Sequence, residues 1–207
     1  HTVLTSIVVD SPSIPGCIDS KTLTFVISYS GNTWESLDAF ATLVKRKVPL
    51  VAISHGGLLQ QYAAKAGVPH VVLPTALQPR TALGLFMGFF WQLFERRGVE
   101  GLSGMMADWL ETSRVLLPQF SSKEPFLQAL EKLASVDMFD VWGVSDDSAS
   151  AAYRATTQFN ENAKIQAVFS SFPELAHNLL VGFERFAKPP VVLWYQGMLQ
   201  SENMHRA

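Results

Sequence analysis

Apolar positions along this chain switch between two periods. Residues 21–28, KTLTFVIS, form a short β-branched and aromatic run that predicts a buried strand. Leu37, Phe40, Ala41 and Val44 then recur at i, i+3, i+4 and i+7, one face of a helix. VPLVAIS (48–54) predicts a second strand, GGLLQQYAAKAG (56–67) a helix closed by Gly67 at C′, and HVVLP (70–74) a third strand. Strands alternating with helices imply a parallel sheet with right-handed crossovers.

From Arg80 to Leu117 the pattern is helical. Leu83, Phe86, Met87, Phe90 and Phe94 make one apolar face, and Trp109, Leu110, Val115 and Leu116 follow in a second helix. Pro118 is expected to break that helix, leaving QFSSKEP (119–125) as a connector. PFLQALEKLA (125–134) predicts one more helix, with Ser122 as its N-cap. The opening grammar then returns. DMFDVWGVS (137–145) is a strand ending in a hydroxyl-bearing turn, AYRATTQFNENA (152–163) a helix, IQAVFSS (165–171) a strand, PELAHNLLVGFE (173–184) mostly helix and PPVVLWYQ (189–196) a strand. The expected fold is therefore α/β, in two halves with parallel sheets: residues 1–117 with their trailing helices, a helical connector over 118–136, and a partial second half over 137–207.

Composition narrows the function classes. A net charge of -2 gives no basic footprint for nucleic acid, although a small anion needs only a local site. Cys17 is the only cysteine, so no disulfide forms within the chain, which fits a reducing cytoplasm. No secretory signal is visible in the first residues. The longest uncharged apolar stretch, Ala82 to Phe94, is too short for a bilayer crossing of about 20 residues, and reads as a buried helix or a subunit interface. The chain starts at His1 and stops soon after an apolar strand, so both ends read as cut.

The candidate chemistry begins at SYSGNT (28–33), where the first strand hands over to its helix. Ligands of parallel α/β folds sit at such carboxyl ends, where unpaired helix amides and the macrodipole favour an anion. Ser28, Ser30 and Thr33 add hydroxyls, and Gly31 permits close backbone approach. The same residue types also serve as ordinary N-caps, so phosphate binding and plain capping both satisfy the pattern. No Gly-Lys-Ser/Thr follows, which disfavours a nucleotide.

SYSGNTWES (28–36) resembles the serine-rich loop of the sugar isomerase (SIS) domain, which grips the phosphate of phosphosugars. Three further segments, in order, resemble the bifunctional phosphoglucose/phosphomannose isomerases: ISHGGLLQQYAAKAGVPHVVLPTALQPRTALG (53–84), QFNENAK (158–164) and FPELAHNLLVG (172–182). The resemblance spans about residues 20–185. It implies two SIS-type three-layer halves and a metal-free aldose–ketose isomerase needing no cofactor. In that reading Ser28, Ser30, Gly31, Asn32 and Thr33 hold phosphate, Glu161 is the proton-shuttling base, Arg80 steadies the enediolate and His177 opens the sugar ring. In relatives the corresponding histidine comes from the neighbouring subunit, so a homodimer with shared sites is implied. The expected partners are thus a phosphosugar and a second copy, with neither nucleic acid nor membrane. The alternative is a non-catalytic phosphosugar-binding module.

Taken on their own, Glu161, Arg80 and His177 would each read as ordinary surface side chains. His55, His70 and His205 match no motif and no metal spacing and are expected to be structural, while Asp146 and Asp147 read as a solvated turn. Thr75, Gln78 and Thr81 are candidates for setting sugar preference, and Lys164 has no assigned role. Trp34 stands where the family commonly has a small or acidic residue, and would either narrow the pocket or pack outward. The family's early Gly/Ser turn is not found before Ser28. Its late lysine falls beyond residue 207, so a truncated chain is expected.

Overall fold

The computed structural model describes residues 6–75, 78–99, 104–120, 124–183 and 190–196. The chain divides into two compact units, His1–Asp108 and Trp109–Ala207. Each is built on a three-stranded, wholly parallel sheet.

In the first unit β1 (Thr24–Ile27), β2 (Leu50–Ser54) and β3 (His70–Val72) lie in the order β1-β2-β3. Helix α1 (Trp34–Lys45) joins the first two strands and α2 (Gly57–Ala66) the next two. Val26, Leu50 and Ala52 share one sheet face and pack against Phe40 and Leu43 of α1 and Leu59 and Ala63 of α2. Each large side chain buried there contributes about 1.5–3 kcal/mol, which is what holds both helices on that face. The opposite face carries Phe25, met edge-on by Phe89 and Phe90 of α3 (Leu83–Arg96). The aromatic helix expected over 82–94 is therefore the third layer of this unit. It is only partly covered: Ala82 just before it is buried, whereas Leu83 and Met87 stand exposed. Gly67 ends α2 in the left-handed conformation (φ 65°), as its C′ placement requires.

The second sheet has the order β5-β4-β6, from β4 (Met138–Gly143), β5 (Gln166–Ser171) and β6 (Val192–Tyr195). Phe139, Val141 and Ala167 face Ala152 of α6 (Asp146–Gln158) and Leu133 of α5 (Glu124–Ala134), forming this unit's core. Trp142 points to the other face and stacks on Phe183, with ring centroids 6.0 Å apart. Beyond β5 the chain makes α7 (Glu174–His177) and α8 (Leu179–Gly182).

Several expectations need correction. Helix α4 (Met105–Phe120) runs through Pro118 instead of stopping before it. A proline in the last turn removes a single amide hydrogen bond, so the penalty of an interior proline is largely avoided. Asp146 and Asp147 open α6 rather than forming a turn. The helix expected over 152–163 changes type: α6 ends at Gln158, and Phe159–Ala163 form a π-helical turn. Asn178 splits the expected helix over 173–184, because its Oδ1 accepts the Leu179 amide (2.6 Å) and starts α8 afresh. Ser122 and His205 lie outside the described residues. Among those described, no helix is long and apolar enough to cross a membrane.

Candidate functional site

Because β1, β2 and β3 are parallel, their carboxyl ends share one edge of the first sheet. The loop from Ser28 to Thr33 leaves that edge and enters α1. Its hydroxyls form a directed chain. Ser36 Oγ donates to the Ile27 carbonyl (3.1 Å) and so accepts from Thr33 Oγ1 (3.0 Å). Thr33 has then spent its only proton, so Ser28 Oγ donates to Thr33 Oγ1 across 2.7 Å. Ser28 is only 5% exposed and also accepts the Gly31 amide (3.1 Å). The hydroxyl protons of Ser28, Thr33 and Ser36 therefore all point inward. Ser30 differs: its Oγ accepts the Asn32 amide (3.2 Å) and keeps its own proton to give.

Thr33 occupies the N-cap position of α1 with extended backbone (φ -69°, ψ 128°), yet its side chain does not cap the helix. The first-turn amides of α1 thus lack the partner that an N-cap side chain usually supplies. Glu35 is the one acidic residue of that turn. Trp34 is 66% exposed, so the bulky residue in this loop packs outward.

A second loop, His55–Gly57, locks against the first. His55 N–H donates to the Tyr29 carbonyl (2.9 Å), Leu59 N–H to the Gly31 carbonyl (2.9 Å) and Leu58 N–H to Asn32 Oδ1 (3.0 Å). The amino terminus of α2 is thereby committed to gripping the neighbouring loop, while that of α1 is left open. The fit admits no side chain. A Cβ on Gly31 (φ 70°) would lie 1.9 Å from the Gly56 carbonyl oxygen, and one on Gly57 (φ 74°) 2.4 Å from that of Ser30. Gly31 lies at a close backbone approach, whereas sequence reasoning gave Gly56 and Gly57 no role. The glycine doublet soon after a strand was the available signal.

The segment after β3 joins the same edge, since Tyr29 OH donates to the Pro74 carbonyl (3.0 Å). It leads to a 3₁₀ turn, Pro79–Thr81, that carries a half-buried Arg80. Thr81 spends its hydroxyl proton on the Gln78 carbonyl (2.9 Å), and Thr75 and Gln78 are exposed.

In the second unit, Glu161 sits exposed at the middle of the π-helical turn. Two neighbours fix that turn. Phe159 packs edge-on against Phe139 at 5.0 Å, and Asn160 holds both backbone groups of Ala167 in β5, accepting its amide (2.9 Å) and donating to its carbonyl (3.1 Å). Lys164 ends the turn at φ 59°, a left-handed backbone uncommon outside glycine, asparagine and aspartate. His177 is exposed at the end of α7, which is pinned by the buried Leu175. Glu161 precedes β5 and His177 follows it, so they belong to opposite ends of that strand. Its length is about 17 Å at ~3.3 Å per residue.

The first unit thus brings Ser28, Ser30, Gly31, Asn32 and Thr33 together, and the second keeps Glu161 and His177 apart. Among the described residues no cluster of His, Cys, Asp and Glu could hold a metal ion.

Residues 124–206 match the family model of the bacterial phospho-glucose isomerase C-terminal SIS domain. The chain is 32% identical over 176 residues to a bifunctional phosphoglucose/phosphomannose isomerase of Caldicellulosiruptor bescii, covering 83% of this chain and 52% of that one. It is 26% identical over 171 residues to a D-glucosamine-6-phosphate 4-epimerase of Sulfolobus acidocaldarius, covering 78% and 51%. The chain spans about half the length of the curated relatives it matches. Among solved structures, a glucosamine-6-phosphate deaminase of Thermotoga maritima superposes with a TM-score of 0.63 over 93% of this chain and 58% of its own, at 18% identity.

Proposed function

The chain belongs to the bifunctional phosphoglucose/phosphomannose isomerase family, and on that footing we propose that it interconverts aldose and ketose phosphosugars. The substrates would be glucose 6-phosphate and mannose 6-phosphate on one side and fructose 6-phosphate on the other. The observation that carries this reading is the uncapped amino terminus of α1, facing a loop whose glycine backbone is held by a second glycine loop. The phosphate would rest on the α1 amides and Ser30 Oγ, with the Ser28–Thr33–Ser36 chain keeping the loop in shape beneath it.

The chemistry then follows from proton bookkeeping. The Glu161 carboxylate takes the proton from C2 of the open-chain aldose, and the C–H pair becomes the C1–C2 double bond. The O1 carbonyl pair moves onto oxygen, giving a cis-enediolate whose charge the Arg80 guanidinium offsets. Glu161 returns its proton to C1, the O2 proton passes to O1, and C2 becomes the ketone. No proton is gained or lost overall. His177 moves the proton to and from the ring oxygen during opening, a task suited to an imidazole, whose two ring nitrogens can give and accept a proton.

The placement of Glu161 and His177 at opposite ends of β5 favours sites assembled from two copies. In such sites each sugar meets the glutamate of one chain and the histidine of the other. Homodimerisation is therefore part of the proposal.

A coupled assay of the full chain with each of the three sugar phosphates tests this directly. Turnover that falls by about 1,000-fold or more in Glu161→Gln is the expected result, in keeping with removal of a general base. Tight binding of 5-phosphoarabinonate, an enediolate mimic, with no turnover of any of the three would instead favour a phosphosugar-sensing module. Activity on an amino-sugar phosphate alone would place the chain nearer the epimerase relative.

A further inference from the structure

The second glycine loop is itself held in place by a buried hydroxyl at the end of β2. Ser54, the last residue of β2, is fully buried, and its hydroxyl has three partners. Its Oγ donates to the Gly56 carbonyl (2.7 Å), accepts the Gly56 amide (3.3 Å) and lies 2.8 Å from His70 Nε2. A hydroxyl has one proton, and Ser54 gives it to Gly56. Nε2 of His70 must therefore carry a proton and donate it to Ser54. The Gly56 carbonyl oriented in this way is the same oxygen that closes on the Cα of Gly31. A continuous path thus runs from β3 through Ser54 and Gly56 to the anion loop.

We propose that His70 is a positioning residue for phosphosugar binding, acting through Ser54 to fix the Gly56 carbonyl against Gly31. This rests on the phosphate reading of the α1 amino terminus. His70 touches no ligand; it sets how well the loop amides are aimed before one arrives. Burial pushes its imidazole below the ordinary range, which keeps the ring neutral, with a single donor to give. Without that donor, the Ser54 hydroxyl is free to turn from Gly56 towards the vacated space, and the grip on Gly31 loosens. The expected signature is weaker ground-state binding with unchanged chemistry.

The test uses the full chain and fructose 6-phosphate as probe. His70→Leu should weaken binding in titration calorimetry by about 5–10-fold, raising KM with kcat held within twofold. His70→Gln, whose amide nitrogen falls close to the position of Nε2, should recover the wild-type affinity within twofold. A purely structural role would lower the melting temperature and leave the affinity of the folded fraction untouched, and that result overturns the proposal. Wild-type protein that binds no fructose 6-phosphate overturns both this inference and the phosphate reading. Wild-type binding that His70→Leu leaves unaltered overturns the inference alone. Independently of how the variants fold, long-range nitrogen–proton NMR of the histidines should find the Nε2–H tautomer at His70 at pH 7.5; an Nδ1–H tautomer overturns the proposal.

Discussion

The two halves of the chain solve the same local problem in opposite ways. In each, the first strand of a parallel sheet ends in a serine-bearing turn and a helix begins. At the second turn the helix caps itself: Ser145 and Ser148 form a reciprocal capping box, and Ser148 Oγ accepts the Val144 and Ser145 amides at 3.0 Å each. Gly143 brings the helix hard against the strand, since a Cβ there would lie 2.5 Å from the Ala149 Cα. At the first turn the hydroxyls bond to one another and to the strand instead, and the N-cap threonine makes no side-chain cap. Its glycine accommodates a second loop rather than its own helix. A turn whose polar groups are consumed internally gives a stable helix end, and one that withholds its cap has amides left for a ligand.

The contrast is broken most severely through the glycines. Gly31→Ala forces a Cβ into the Gly56 carbonyl and into a left-handed backbone that alone costs about 1–2 kcal/mol. Its affinity for fructose 6-phosphate should fall more than about 100-fold, since several charge-assisted donors are displaced together. Gly143→Ala should lower the melting temperature while leaving the affinity of the folded protein unchanged. The serines give a cleaner and smaller separation. Ser30→Ala removes one hydrogen bond to a charged group, worth about 1.5–3 kcal/mol, and should weaken binding roughly 10–100-fold with little change in stability. Ser145→Ala should do the reverse, costing about 1 kcal/mol of stability with no effect on affinity.

The smallest expected effect is a pH dependence carried by His70, which is linked to the first turn through Ser54 and Gly56. Burial lowers the His70 pKa below its ordinary value of 6.5, so below pH 6.5 the unfolded chain binds the proton more readily than the folded one. Stability from this group is full above pH 6.5 and is lost as pH falls below it. The change in melting temperature between about pH 7.5 and 5.5, measured for wild type and His70→Gln, should be larger for wild type. The Ser145–Ser148 box has nothing to titrate, so Ser145→Ala should leave that difference as it is.

Most of the element order is legible in the sequence, because buried faces impose their period directly. Phe40 with Val44 of α1, and the C′ position of Gly67, are local signals that packing does not override. What escapes detection depends on partners distant in the chain. Asn160 reads as one more helical residue until Ala167 is beside it, and a π-helical turn differs from an α-helix by too little to alter the apolar period. The His70–Ser54 bond spans sixteen residues and two strands, so nothing local marks it. Ser28 is expected from its position to face the ligand, and its place at the turn is right. Its burial beneath Thr33 is not readable from residue type, because a serine looks the same whether it bonds outward or in. Pro118 misleads for a different reason, since a proline signal carries no information on how near the helix end already lies.

Whether the open end of α1 is the anion seat can be read from amide NMR shifts of the labelled full chain as 5-phosphoarabinonate is added. Saturable shifts at Ser30, Trp34, Glu35 and Ser36, with Ser145 and Ser148 unmoved, are the predicted result. Shifts centred on Ser145–Ser148, or a first turn of α1 indifferent to saturating ligand, would contradict it.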